Sequence, residues 1–136
     1  MIRTGLRWLL ALVYLVAGIM HLHTPEPFLA ITPSWVPQPM LVVELTGWAE
    51  IIGALALVQP MSSSLRRTGA IGLAAYAVCV FPANIHHFAL DMAREDGGLG
   101  LAYHGPRMVA QPLVVWLALW VGEVLDWPFP RQVSQT

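Results

Sequence analysis

MLVVELTGWAEIIGALALV, residues 40–58, is an uninterrupted apolar run of helical length that carries two carboxylates, Glu44 and Glu50. A bilayer's hydrocarbon core takes about 20 residues of helix, and a run of this kind has those dimensions. Three more segments share the pattern, so the chain is expected to cross a membrane four times, at about 6–22, 40–59, 68–89 and 107–126. Backbone amides in lipid must be paired within the segment or around a closed barrel, and barrel-like alternation is absent from these runs. The expected fold is therefore all-α, an integral membrane four-helix bundle in a single domain over residues 1–136.

Composition supports this. Of 136 residues 57% are hydrophobic and only 11% charged, with a mean hydropathy of +0.62, whereas a soluble domain carries about 25% charged residues. The seven basic residues are all arginine, without a basic stripe to neutralise phosphates, and the net charge is −1. Nucleic acid is accordingly not an expected partner. Cys79 is the only cysteine, which excludes an intramolecular disulfide, a CxxC redox pair and a cysteine-rich zinc site. Arg3 and Arg7 before WLLALVYLVAGIM resemble a secretory leader, but no A-x-A-like cleavage site follows, and the segment reads as a retained first span.

The connections hold the residues that end helices. Between the first two spans lies TPEPFLAITPSWVPQP, residues 24–39, in which prolines interrupt Phe28, Leu29, Ile31, Trp35 and Val36. It is expected to form a short amphipathic cap along the outer interface. Arg3, Arg7, Arg66, Arg67 and Arg131 fall on one side of the membrane, Arg94 and Arg107 on the other. By the positive-inside rule both termini are expected to be cytoplasmic, and in a double-membrane bacterium the opposite face would be periplasmic.

Ionisable groups inside a span cost about 2.5–3.5 kcal/mol on insertion scales and are functional candidates for that reason. At ~1.5 Å per residue, Glu44 lies roughly 6 Å and Glu50 roughly 15 Å into the second span. Gly47 and Gly53 flank Glu50 at i−3 and i+3, so a neighbouring helix can approach the carboxyl closely. Glu50 reads either as a proton-handling or ligand-binding carboxylate, or as a hydrogen-bonded strut that fixes packing. Asn84, His87 and Asp91 share a face of the third span beyond Pro82, Tyr14, Gly18 and His21 share one on the first, and Arg107 and Gln111 stand a turn apart on the fourth. With alternating span directions, His21, Glu44, Glu50, Asn84, His87, Arg107 and Gln111 all fall in the outer half, which makes them the candidate ligand-binding set. No catalytic residue is assigned. His21, His86, His87 and His104 are weak candidates for a metal or haem, and the HExxH motif is missing.

AGIMHL (17–22), ELTGWAEIIGALALV (44–58), FPANIHH (81–87) and RMVAQPLVVWLALW (107–120) together resemble the DoxX-like family of small bacterial four-helix membrane proteins. His86 and His87 depart from that family's usual continuation after Asn-Ile. The resemblance implies a four-helix bundle and, for some relatives, an association with sulfur or quinone redox systems. The expected function is thus an accessory membrane component with an outer-half pocket for a small ligand such as a quinone. Two alternatives stand beside it: a non-enzymatic chaperone or scaffold for another membrane protein or a homo-oligomer, and a histidine-bound metal or haem site.

Overall fold

A computed structural model of the chain describes residues 1–128, and Arg131 of the orientation argument lies outside them. The described residues are all-helical, with no strand, in the order α1 (Ile2–His23), α2 (Glu26–Ile31), α3 (Pro39–Val58), α4 (Ser63–Met92) and α5 (Gly100–Val121). The four long helices overlap the expected segments: α1 and α4 extend beyond theirs at both ends, α3 differs by one residue at each end, and α5 begins seven residues before 107 and ends five before 126. By length and composition α1, α3 and α4 are apolar enough to cross a membrane; α5 is not among them. The N-terminal half of α5 is the cause, since it carries His104, Arg107 and Gln111 beside Pro106 and Pro112.

Exposed and buried positions are reversed from those of a soluble protein. On α1 the outward face is Leu9, Leu12, Val13, Val16, Ile19 and Met20, while Tyr14, Gly18 and His21 are buried. On α3 the outward face is Leu41, Leu45, Trp48, Ile52 and Leu55, and Glu50 is inside. Packing runs α1 to α3, α3 to α4 and α4 to α5, and α1 touches α5 much less. A core of Leu10, Ala11, Tyr14, Ala54, Leu57, Ala70, Leu73, Ala74, Ala118, Trp120 and Val121 fills the half near the chain's N-terminus.

Two features fix the helices relative to one another. A Cβ on Gly18 would stand 2.6 Å from the Gly47 carbonyl oxygen, and one on Gly47 would stand 2.9 Å from Cβ of His21. The backbones of α1 and α3 therefore meet where neither has a side chain, the geometry that small residues permit between helices. At the opposite end of the molecule, arginines clasp the C-terminus of α5. Arg3 donates to the carbonyls of Trp120 (2.7 Å) and Leu125 (3.0 Å) and pairs with Asp126 at 2.9 Å. Arg7 donates to the Val121 carbonyl (2.9 Å) and to Glu123 (2.8 Å), and Arg66 reaches the same Glu123 oxygen at 2.9 Å. The last carbonyls of a helix lack partners of their own and carry its negative dipole end, so cations there satisfy both needs.

The proline-rich connection is folded rather than splayed. Pro25 and the six-residue α2 turn the chain back over the end of the bundle, where α2 rests on α3 and α4. His86 Nδ1 lies 3.0 Å from the Ile31 carbonyl oxygen, and the Phe28 ring stacks on His21 with centroids 3.7 Å apart. Gln38, with φ of 48°, makes the left-handed turn into α3.

Gly47→Val is expected to lower stability by about 1–3 kcal/mol through overpacking. Gly72→Ala, where an added methyl meets nothing within 4 Å, is expected to leave it unchanged or raise it. Thermal melts of the two variants in detergent distinguish the cases, and equal melting points would contradict a backbone contact between α1 and α3.

Candidate functional site

The weak seam between α1 and α5 opens into a cavity of about 450 Å³ that the proline-rich connection covers. Its walls are largely apolar, from Leu10, Val13, Val43, Val80 and Val114, with Phe28, Ile31, Trp35 and Val36 contributed by the cover. Five of the seven candidate residues line it: His21, Glu50, Asn84, Arg107 and Gln111. Two do not. Glu44 is exposed and lines a separate open groove with Met40, Leu41 and residues of the cover. Six residues separate Glu44 from Glu50, a little under two helical turns, so the two carboxylates share no wall of the cavity. His87 stands behind Arg107 rather than on the cavity surface.

The first polar pole lies on α1, α3 and α4. Glu50 is 3% exposed, and its Oε2 lies 2.9 Å from His21 Nδ1. The same Nδ1 is 2.9 Å from the Ala17 carbonyl oxygen. A carbonyl only accepts, so Nδ1 carries the ring proton and directs it at Ala17, and Oε2 receives its electrostatic attraction without an aligned hydrogen bond. The Tyr76 phenol engages the Glu50 carboxyl as well, and Tyr14, whose hydroxyl donates to the Leu73 carbonyl at 3.4 Å, completes this pole.

The second pole is a hydrogen-bonded chain across α4 and α5. Arg107 Nη2 donates to Asn84 Oδ1 at 2.6 Å, Asn84 Nδ2 donates to Gln111 Oε1 at 3.0 Å, and Gln111 Nε2 donates to the Ala77 carbonyl. Ala77 is next to Val78, the residue whose carbonyl lacks a helical donor because Pro82 supplies no backbone N–H. Arg107 Nη1 also donates to His87 Nδ1 (2.9 Å) and Tyr103 Oη (3.4 Å), and its guanidinium sits 5.6 Å above the Tyr103 ring. Every one of these acceptors is neutral. Among the described residues no carboxylate lies within ion-pair distance of Arg107.

Behind this pole Asp91, 6% exposed, is a hub. Its Oδ2 lies 2.9 Å from His104 Nε2 and 3.6 Å from His87 Nε2, and accepts the Leu99 amide at 3.0 Å. Gly98 is required beside it, because its φ is +53° and a Cβ there would collide with the Asp91 carboxylate. Further out, Arg94 and the Gly98 amide hold the Asp96 carboxyl down to about 2, so the loop keeps this charge at physiological pH.

Of the residues that matter here, Tyr76, Phe28 and the hub role of Asp91 were not among the candidates. Tyr76 carries a signal, a phenol within the small-residue stretch of α4, but its partner is set by the rotation of α4 against α3. Of the weak metal candidates, His87 and His104 come together, while His21 faces Glu50 and His86 supports the cover.

A family match covers this whole arrangement. The chain belongs to the family described as a domain of unknown function, DUF8561. The match spans residues 10–122, which include every cavity-lining residue and the Asp91 hub, while Arg3, Arg7, Glu123 and Asp126 of the clasp lie outside it. No curated protein and no solved structure matches the chain.

Asn84→Ala is expected to cost about 1–3 kcal/mol, because Arg107 and Gln111 each lose a partner in a place that water reaches poorly. Adding Gln111→Ala should cost less than the two changes measured separately, since they share one bond. Additive shifts in thermal melts would contradict the chain of bonds.

Proposed function

We propose that this protein is a DoxX-like, multi-pass component of the bacterial inner membrane whose cavity takes up a small lipid-soluble ligand, with a quinone head group as the leading candidate. The observation that carries this is the cavity itself, with largely apolar walls and polar groups at two poles. A volume of about 450 Å³ falls within the usual range for small-molecule sites of ~300–1,000 Å³.

Membrane placement is supported by the outward Leu, Val, Ile and Trp side chains on α1, α3 and α4 and by the burial of His21, Glu50, Asn84 and Asp91. In this reading α5 is the fourth span, and its polar half is tolerated because Arg107 and Gln111 face partners on α4. Arg3, Arg7, Arg66 and Arg67 at one end favour a reading in which both termini are cytoplasmic. The cavity then lies in the outer half.

Chemically, Arg107 is a cation that has only neutral acceptors, so a carbonyl or anionic oxygen in the cavity would satisfy it best. Glu50 Oε2, buried and without an aligned donor, would accept a proton or hydrogen bond from a ligand hydroxyl. Asn84 and Gln111 hold Arg107 in place. The protein would thus act as an accessory to a membrane redox partner, binding and positioning the ligand.

Titrating decylubiquinone into the purified protein in detergent should quench tryptophan fluorescence saturably, since Trp35 lines the cavity. Arg107→Met should weaken that binding about tenfold or more, the loss of a charge-assisted hydrogen bond. Arg94→Met, at an exposed pair, should not. Absence of saturable quenching, or indifference to Arg107→Met, would overturn the proposal.

A further inference from the structure

At the outer end of α4, His87 and Asp91 stand one helical turn apart, and the first turns of α5 bring His104 against them. His87, Asp91 and His104 each offer a ligand atom, and these atoms all lie within 4.8 Å of one another. Two imidazole nitrogens and a carboxylate oxygen are the donor set of divalent first-row transition ions, and three protein ligands leave a position open for water. Ligands about 2.0–2.2 Å from a tetrahedral zinc ion stand about 3.3 Å apart, and the observed separations from Asp91 Oδ2, 2.9 Å to His104 and 3.6 Å to His87, bracket that value. The side chain of His104 is fully buried and that of Asp91 is 9% exposed, while His87, at 18%, is the member that an ion arriving from outside would meet first. The Leu99 amide bonds the Asp91 oxygen from the loop side, which fixes the carboxylate that metal ligands need oriented.

His87 connects this group to the cavity by its tautomer. Its Nδ1 accepts a hydrogen bond from Arg107, and a neutral imidazole that accepts at Nδ1 carries its proton on Nε2. Coordination at Nε2 requires the opposite tautomer, with the proton on Nδ1, and an N–H there cannot face the Arg107 N–H. His104 Nε2 faces the Asp91 carboxylate, which only accepts, so it carries the ring proton; coordination there moves that proton to Nδ1 as well, a buried nitrogen with no competing partner. Asp91 is the only carboxylate against the two histidines among the described residues, Arg107 is the cation nearest them, and Arg94 is engaged with Asp96.

We propose that His87, Asp91 and His104 form a binding site for a divalent transition ion of the zinc class, and that the ion competes with Arg107 for His87. Filling the site shifts the His87 and His104 protons from Nε2 to Nδ1 and releases Arg107 from His87 Nδ1, leaving the guanidinium on Asn84 at the cavity wall. No net proton is lost in the exchange. Metal and cavity ligand are thereby linked, and the linkage does not depend on which ligand the cavity takes.

The test is isothermal titration of zinc chloride into the full chain in detergent after chelator treatment, with folding of each variant confirmed by circular dichroism. The parent protein is expected to bind one zinc ion per chain. Asp91→Asn should weaken this by about tenfold or more, as loss of a ligand or its support does in zinc sites. His87→Ala, at the partly exposed position, should do the same and carries the test if Asp91→Asn does not fold. Arg107→Met should tighten zinc binding severalfold, because it removes the competing donor, and a merely structural triad gives no reason for that gain. No zinc binding by parent and Arg107→Met, binding indifferent to His87→Ala, or an unchanged affinity in Arg107→Met would each overturn the proposal.

Discussion

The arrangement depends on a meeting of backbone with backbone, Gly18 of α1 against Gly47 of α3. Both sites of interest on these helices lie three residues further along, so the contact sets His21 beside Glu50 at 2.9 Å. Larger residues at either glycine would hold the helices apart, and the carboxyl would lose its main electrostatic partner. Burying an unpaired charge is far costlier than burying a partnered one, so the glycines make the buried Glu50 tolerable. In lipid, where no hydrophobic force draws helices together, such close packing and internal hydrogen bonds are what holds a bundle.

The other end of the molecule is held differently. Three arginines grip the carbonyls and carboxylates at the end of α5, and the small-residue core seals the space beneath them. Because α1 and α5 are tied at that end and touch little elsewhere, the opposite half of their seam is where space remains. The proline-rich connection covers that space without filling it. A cavity with polar poles beneath a proline-rich cover follows from the uneven distribution of contacts, with no single residue creating it.

Much of this was legible in the sequence. The four long helices follow from runs of apolar residues bounded by Pro, Gly and Ser, because length and continuity are properties of a segment alone. Depth was legible for the same reason: rise per residue placed His21, Glu50, Asn84, Arg107 and Gln111 at one end of the bundle. Rotation about each helix axis was not, since it depends on packing between segments. Hence Glu44, two turns from Glu50, could not be separated from the cavity set, and the partners of Arg107 could not be named. The clasp was hidden too, because Arg7 and Glu123 are neighbours only once the first and last helices lie side by side. The polar residues that α5 turns toward α4 also lower its apolar character below that of the other three long helices.

The most direct measurement is an experimental structure determined in native lipid at a resolution that shows side chains and bound molecules. The account predicts four helices embedded in the bilayer and a bound molecule between the two poles, with an oxygen on Arg107 and a polar group at Glu50. A collapsed cavity in which Glu50 and Arg107 pair directly, or a space filled by the chain's own side chains, would contradict it.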